Sequence, residues 1–287
     1  MIRTIAYYFQ LMKPRIMLLV VFSGATALAL EGSLLHKPLH FILALIAVFL
    51  TGGSANALNQ YFERDIDARM ERTAKKRPLP MQRMGSLPAL FFSIAVGLLG
   101  VLIFGFFFNW YSAMLSLATI LFYSLFYTLI LKPTTPYNIV IGGAAGAMAP
   151  VGCWVAASGS MSLDAWLLFL IILLWTPPHF WALAMYFRTD YEAVKLPMMP
   201  VVKGNEKTLN QIVIYSWLLV AVTLTMLIIP KLGMVYGIAS LVLGALFLNK
   251  SYKARRYGKN TQLKSLFKYS IVYLFVLLSV IVIDGIV

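Results

Sequence analysis

Apolar residues in this chain fall into long unbroken runs, interrupted by short clusters of charge, proline and glycine. Runs cover about residues 16–35, 39–63, 87–108, 111–131, 137–157, 163–187, 209–229, 232–249 and 266–286. Each approaches the roughly 20 residues that a helix needs to cross a hydrocarbon core of about 30 Å. Periodicity adds little in such runs, because a helix packed among lipid and other helices is apolar all round. Their ends are therefore set by charges and by Pro and Gly. Stretches such as Leu98–Phe108 and Ile271–Ile283 do not alternate, which excludes the ten-residue alternating strands of a membrane β-barrel. The pattern predicts an all-α, polytopic membrane protein with nine transmembrane helices, forming one membrane-embedded domain over residues 1–287.

Composition agrees. Apolar residues make up 61% of the chain and charged residues 12%, about half the roughly 25% charge of a soluble domain. Cys153 is the single cysteine, so no intrachain disulfide and no cysteine zinc site can form. It lies in an apolar run and reads as a small packing residue. Arg3, Lys13 and Arg15 precede the first run, but no short apolar segment with a small-residue cleavage site follows. Met1 is therefore expected to be the mature start and the first span to be retained.

The net charge of +14 would suggest nucleic acid if the protein were soluble. Here the distribution of charge matters more. Of 24 Lys and Arg residues, 22 fall in the N-terminal segment and the even-numbered connections; only Lys37 and Lys231 lie on the other side. That bias predicts a cytoplasmic N-terminus and an external C-terminus, and it explains the basic pI with no nucleic-acid partner.

Two cytoplasmic connections are long, residues 64–86 and 188–208, and both mix acids with bases. They follow spans 2 and 6, an offset that hints at two similar halves, and the chemistry is expected where they meet. In the first, Asn59, Glu63, Asp67 and Glu71 are spaced by four, which on a continuous helix stacks them along one face. Like charges at that spacing repel, and a divalent cation relieves the repulsion. An oxygen-only set suits Mg²⁺. The same residues also read as a solvated helix end, with Asp65 facing away and pairing with Arg69. Lys75 and Lys76 read as a positive anchor, whereas the forked guanidinium groups of Arg72 and Arg77 match phosphate oxygens. Carboxylates, Mg²⁺ and Arg together are equipment for ionising an allylic diphosphate.

Asn59, Glu63 and Asp67, leading into Met70-Glu71-Arg72-Thr73 and Arg77-Pro78-Leu79, resemble the first motif of the UbiA-type intramembrane prenyltransferases. Further segments resemble the branch of that superfamily that farnesylates protohaem IX: Lys13-Pro14-Arg15, residues 138–146, Trp175-Thr-Pro-Pro-His179-Phe-Trp, Asp190-Tyr191 and residues 196–202. The match runs from about residue 10 to 210, and the last three spans match in hydropathy only. Glu63 stands where the pattern usually has Asp, Ala149-Pro150 and Cys153-Trp154 where it has Pro-Pro and Gly-Trp, and the second acidic motif is reduced to Asp190 and Glu192. The resemblance implies farnesyl diphosphate and haem B as substrates, water addition giving haem O, and Mg²⁺ held by Asn59, Glu63 and Asp67 with Asp190 and Glu192. It implies diphosphate binding by Arg72, Arg77, Lys13 and Arg15, and by Lys195, which could hold a haem propionate instead. It also implies a bacterial plasma membrane location and an onward haem-oxidising or oxidase-assembly partner.

His179 lies in the cytoplasmic half of span 6, behind Pro177-Pro178. Such a pair is expected to free carbonyls and bend the helix. An ionisable residue at that depth points to function, and imidazole is a common haem ligand; hydrogen bonding to an opened carbonyl is the plainer alternative. With the resemblance, His179 is expected at the haem, at its iron or near the reacting vinyl group, with Trp181 as a stacking surface. His36 and His40 read as interfacial. Two rival readings fit less well. A UbiA-type enzyme acting on a quinone-precursor aromatic acid fits the Pro-Pro-His-Phe-Trp setting poorly. A secondary transporter would place its site near the midplane, whereas these acids lie at one membrane edge.

Overall fold

A computed structural model describes residues 2–286. A short helix unannounced by the apolar runs, α1 (Ile2–Leu11), precedes the first span. α2 (Pro14–Glu31) and α3 (Pro38–Phe62) both open on proline, which is tolerated there because the first-turn N–H has no helical partner. α2 stops at Gly32, whose φ of 96° is left-handed and whose N–H donates to the Leu28 carbonyl. Two one-turn helices follow, α4 (Arg64–Asp67) and α5 (Glu71–Ala74). α6 (Ser86–Phe107) leads into α7 (Trp110–Leu121), where the Asn109 side chain accepts from the Ser112 N–H. The same segment continues as a π-helix over Phe122–Leu131 and ends in α8 (Lys132–Thr134). Then come α9 (Asn138–Ser158), α10 (Leu163–Tyr186), α11 (Arg188–Ala193) and α12 (Met199–Val202). α13 (Gly204–Thr225), α14 (Met234–Tyr257) and α15 (Asn260–Ile286) complete the chain.

Among the described residues, nine helices are long and apolar enough to cross a membrane. Their bounds lie close to the apolar runs except near the clustered basic residues. α13 starts at Gly204 rather than 209, α14 continues to Tyr257 rather than 249, and α15 starts at Asn260 rather than 266. Hydropathy marks where lipid ends, while Lys, Arg and Gln are good helix formers and carry the helices on into water. The interval between the last two apolar runs is thus mostly helix, closed by a tight turn at Gly258, with φ 60°.

Small residues let the spans approach closely, as expected where lipid offers no hydrophobic drive between helices. α3 packs on α6; a Cβ on Gly100 would lie 3.0 Å from the Ala47 carbonyl oxygen, and Ser54 Oγ donates to the Ser93 carbonyl at 2.7 Å. α2 packs on α9, where fully buried Cys153 faces Gly24, confirming its packing role. α10 lies against α9, α13 and α15. Between α2, α3, the α7–π segment, α9, α10 and α15 lies a cavity of about 550 Å³.

Candidate functional site

The acidic row does not continue as one helix. α3 ends at Phe62, Glu63 leaves helical geometry, and Met70 is extended (φ −97°, ψ 126°). Asn59, Glu63 and Asp67 are buried together, while Glu71, displaced by the break, is exposed. Asp65 also points to solvent, as expected, but its recorded partner is Arg64 at 3.8 Å rather than Arg69.

Three cations from three parts of the chain close around the buried acids. Arg77 hydrogen bonds Asp67 and lies 3.6 Å from Glu63. Lys132, at the end of the π-helix, hydrogen bonds the other oxygen of Glu63. Lys13 Nζ donates to Asn59 Oδ1 at 2.9 Å, from a left-handed backbone (φ 52°) that non-glycine residues seldom adopt. The Asn59 amide donates to Thr128 Oγ1 at 3.1 Å. Burial, reinforced by the charge of Arg77, pulls the Lys13 ammonium down to about 7. Burial raises the Asp67 carboxyl despite Arg77. For Glu63 burial also pushes upward, but Lys132 and Arg77 outweigh it and hold the carboxyl below its ordinary range.

Asn59, Glu63 and Asp67 form an oxygen-only set with two carboxylates, and positive side chains fill the space beside them. That chemistry fits Mg²⁺, which commonly takes one or two carboxylates and completes its shell with water and substrate phosphates. No cluster of three or more His, Cys, Asp or Glu side chains suited to a metal occurs among the described residues, so any remaining ligands would come from those sources.

The two long connections do meet. Asp190 Oδ2 accepts from the Arg72 backbone N–H at 3.2 Å, in the first turn of α5. The Arg72 guanidinium lies over the rings of Phe187 and Tyr191 and reaches the Tyr191 hydroxyl at 3.4 Å. Its Nε is buried without a partner, and the residue lines the cavity. Arg15 lines the same cavity. Glu192 is instead engaged by Arg188 on its own turn at 2.6 Å and is half exposed, and Lys195 is exposed in a left-handed conformation. Neither joins the cluster.

The cavity runs from Arg15 and Arg72 past Tyr123, Tyr127 and Asn56 to Phe104 and Leu115. His179 lines it, and α10 runs unbroken through Pro177-Pro178. No opened carbonyl holds the imidazole: Nδ1 lies 2.7 Å from Ser270 Oγ on α15. Trp175 and Phe267 cover its two faces, with centroids at 4.2 and 4.5 Å. Trp181 does not stack in the cavity; it is fully buried against Tyr215 at 5.3 Å. Two residues along a helix amount to about 200° of rotation, so the cavity-facing neighbours of His179 are Thr176, Phe180 and Leu183.

Sequence reasoning missed Lys132, Thr128, Tyr123 and Tyr127. Only Lys132 gave a signal, as the lone charge in its connection.

These features define an intramembrane helical bundle that holds a cation-braced acidic cluster and an apolar cavity whose wall carries Arg15, Arg72 and His179, with the acids themselves outside the cavity lining. Residues 18–277 match the model of the UbiA prenyltransferase family, and the chain belongs to that family. It is 41% identical over 287 residues to a protoheme IX farnesyltransferase of Bartonella bacilliformis, covering 99% of this chain and 92% of that protein. It is 46% identical over 282 residues to one of Erythrobacter litoralis, covering 96% and 91%. In fold it is similar to a digeranylgeranylglyceryl phosphate synthase (TM-score 0.80, 20% identity, 99% of each chain). It is also similar to a UbiA homologue from Archaeoglobus fulgidus bound to GPP and Mg²⁺ (TM-score 0.65, 16% identity, 96% and 99%).

Proposed function

We propose that this prenyltransferase joins the farnesyl group of farnesyl diphosphate to a vinyl group of haem B, with addition of water, to give haem O. The observation that carries this reading is His179 in the wall of a cavity that also holds Arg72 and Arg15, in a chain so similar to protoheme IX farnesyltransferases. In the transfer, the C1–O bond of the prenyl diphosphate breaks and its electron pair leaves with diphosphate. The vinyl π pair forms the new carbon–carbon bond, and water adds its oxygen to the resulting cation and releases a proton.

The residues divide the work. Asn59, Glu63 and Asp67 would hold Mg²⁺, which when bound supplies positive charge beside the leaving diphosphate. Arg72 and Arg15 bind the diphosphate from the cavity, and Lys13, Arg77 and Lys132 transfer from the acids to its oxygens. Apolar walls orient the farnesyl chain and the porphyrin and restrict water near the reacting carbons. His179 contacts the haem.

The site lies on the cytoplasmic side of a bacterial plasma membrane, with the N-terminus inside and the C-terminus outside, since the basic residues gather on one set of connections. The 287 residues act as one membrane-embedded unit, and haem O passes to a haem-oxidising or oxidase-assembly partner. Mass spectrometry of haem extracted after incubating the purified protein with haem B, farnesyl diphosphate and Mg²⁺ tests the activity. Haem heavier by one farnesyl group and one hydroxyl group is expected; recovery of haem B alone overturns it. Reporter fusions that put residues 64–86 and 188–208 on opposite faces would overturn the topology.

A further inference from the structure

We infer that Ser270 is a positioning residue that fixes the tautomer and plane of His179, so that the Nε2 lone pair is offered to the iron of the haem substrate. The inference rests on the haem reading above and goes beyond it by assigning an atom and its support. Ser270 Oγ donates its one hydrogen to the Phe267 carbonyl at 2.7 Å. At 2.7 Å from His179 Nδ1, Oγ can then only accept, so the proton of the neutral ring sits on Nδ1 and the lone pair on Nε2. The same residue anchors the neighbouring ring, because its carbonyl accepts from Trp175 Nε1 at 2.7 Å.

The ring planes of Trp175 and Phe267 lie 20° and 26° from the imidazole. Both faces are thus covered, which rules out stacking on a porphyrin and leaves only an edge for the cavity. An imidazole held edge-on, with one nitrogen donating into a second-layer acceptor, is the arrangement of metal-ligating histidines. Ser270 is fully buried and lies behind the cavity wall, whereas Phe267 and Ile271 line it. It therefore acts through His179 and not on the substrate.

The test is a titration of the purified protein with haem B, followed by Soret absorbance, in wild type, Ser270→Ala and Ser270→Thr. Loss of a second-layer partner weakens metal binding by about 10–100-fold. That loss is expected for Ser270→Ala, with an altered Soret band, while Ser270→Thr keeps the hydroxyl and binds like wild type. Farnesyl diphosphate binding should be equal in all three. A wild-type band and affinity in Ser270→Ala overturn the inference, as does joint loss of haem and farnesyl diphosphate binding, which would make Ser270 a folding residue. Failure of the function reading looks different: wild type would show the Soret contrast yet yield no farnesylated haem.

Discussion

Lys132 donates a hydrogen bond to Glu63, although 69 residues separate the two. The contact joins the end of the fourth span to the end of the second. Two buried charges can be held this way only in pairs, because an unpaired one costs several kcal/mol. Here Arg77 and Lys132 balance the two carboxylates, so the pairing that makes the burial of the acids tolerable also gathers cations beside them.

Replacing Lys132 by Met should weaken farnesyl diphosphate binding, measured calorimetrically without haem. A hydrogen bond to a charged group contributes about 1.5–3 kcal/mol, so a loss of roughly tenfold or more is expected. Unchanged affinity would confine Lys132 to bracing Glu63.

Asp67→Asn should lower turnover by about 10²–10³, the typical effect of removing one preorganised electrostatic group. Asp65→Asn should be near neutral, because the Asp65 side chain is 82% exposed and meets only Arg64. Equal losses in both variants would place the chemistry elsewhere.

Phe180 lines the cavity, whereas Trp181 packs against Tyr215 on the far side of α10. Phe180→Ala should therefore weaken haem B binding in a Soret titration, and Trp181→Phe should not. The opposite ranking would show that haem approaches α10 from its α13 side.

A Cβ on Gly142 would run into the ring carbons of Tyr127, while one on Gly146 meets nothing within 4 Å. Tyr127 is buried and cannot swing away. Overpacking of this kind costs about 1–3 kcal/mol, so Gly142→Ala should lower the melting temperature and reduce turnover. Gly146→Ala should leave the melting temperature unchanged.

The spans were legible because lipid imposes a length and a composition on every one of them. Asn59, Glu63, Asp67, Arg72 and Arg77 were legible because they lie within 20 residues of one another, where a motif can be seen as a unit. Glu71 failed because helical spacing was extended past Phe62, where the chain breaks at Glu63 and again at Met70. Trp181 failed for a simpler reason: adjacency in sequence to His179 says nothing about which side of a helix a ring occupies. Lys132 showed in the chain only as a lone charge, and Ser270 not at all. Each lies in a different span from the group it serves, and the interhelical packing that joins them leaves no local pattern.

The π-helix at Phe122–Leu131 separates two properties that an α-helical span would tie together. Its hydrogen bonds close on the fifth residue back, as from the Lys132 N–H to the Tyr127 carbonyl, so the segment carries a phase slip relative to an α-helix. Deleting one residue there would let the backbone relax to α geometry and would still leave more than the roughly 20 residues a span requires. Insertion and topology would survive, and because the regained α twist largely offsets the lost residue, Lys132 would stay turned toward Glu63; the same deletion in α7, with the π turns kept, would turn Lys132 by about 100° relative to the residues before it. Length variation along this span is therefore invisible to the membrane, and the π segment is the one place where it can also be nearly invisible to the chemistry.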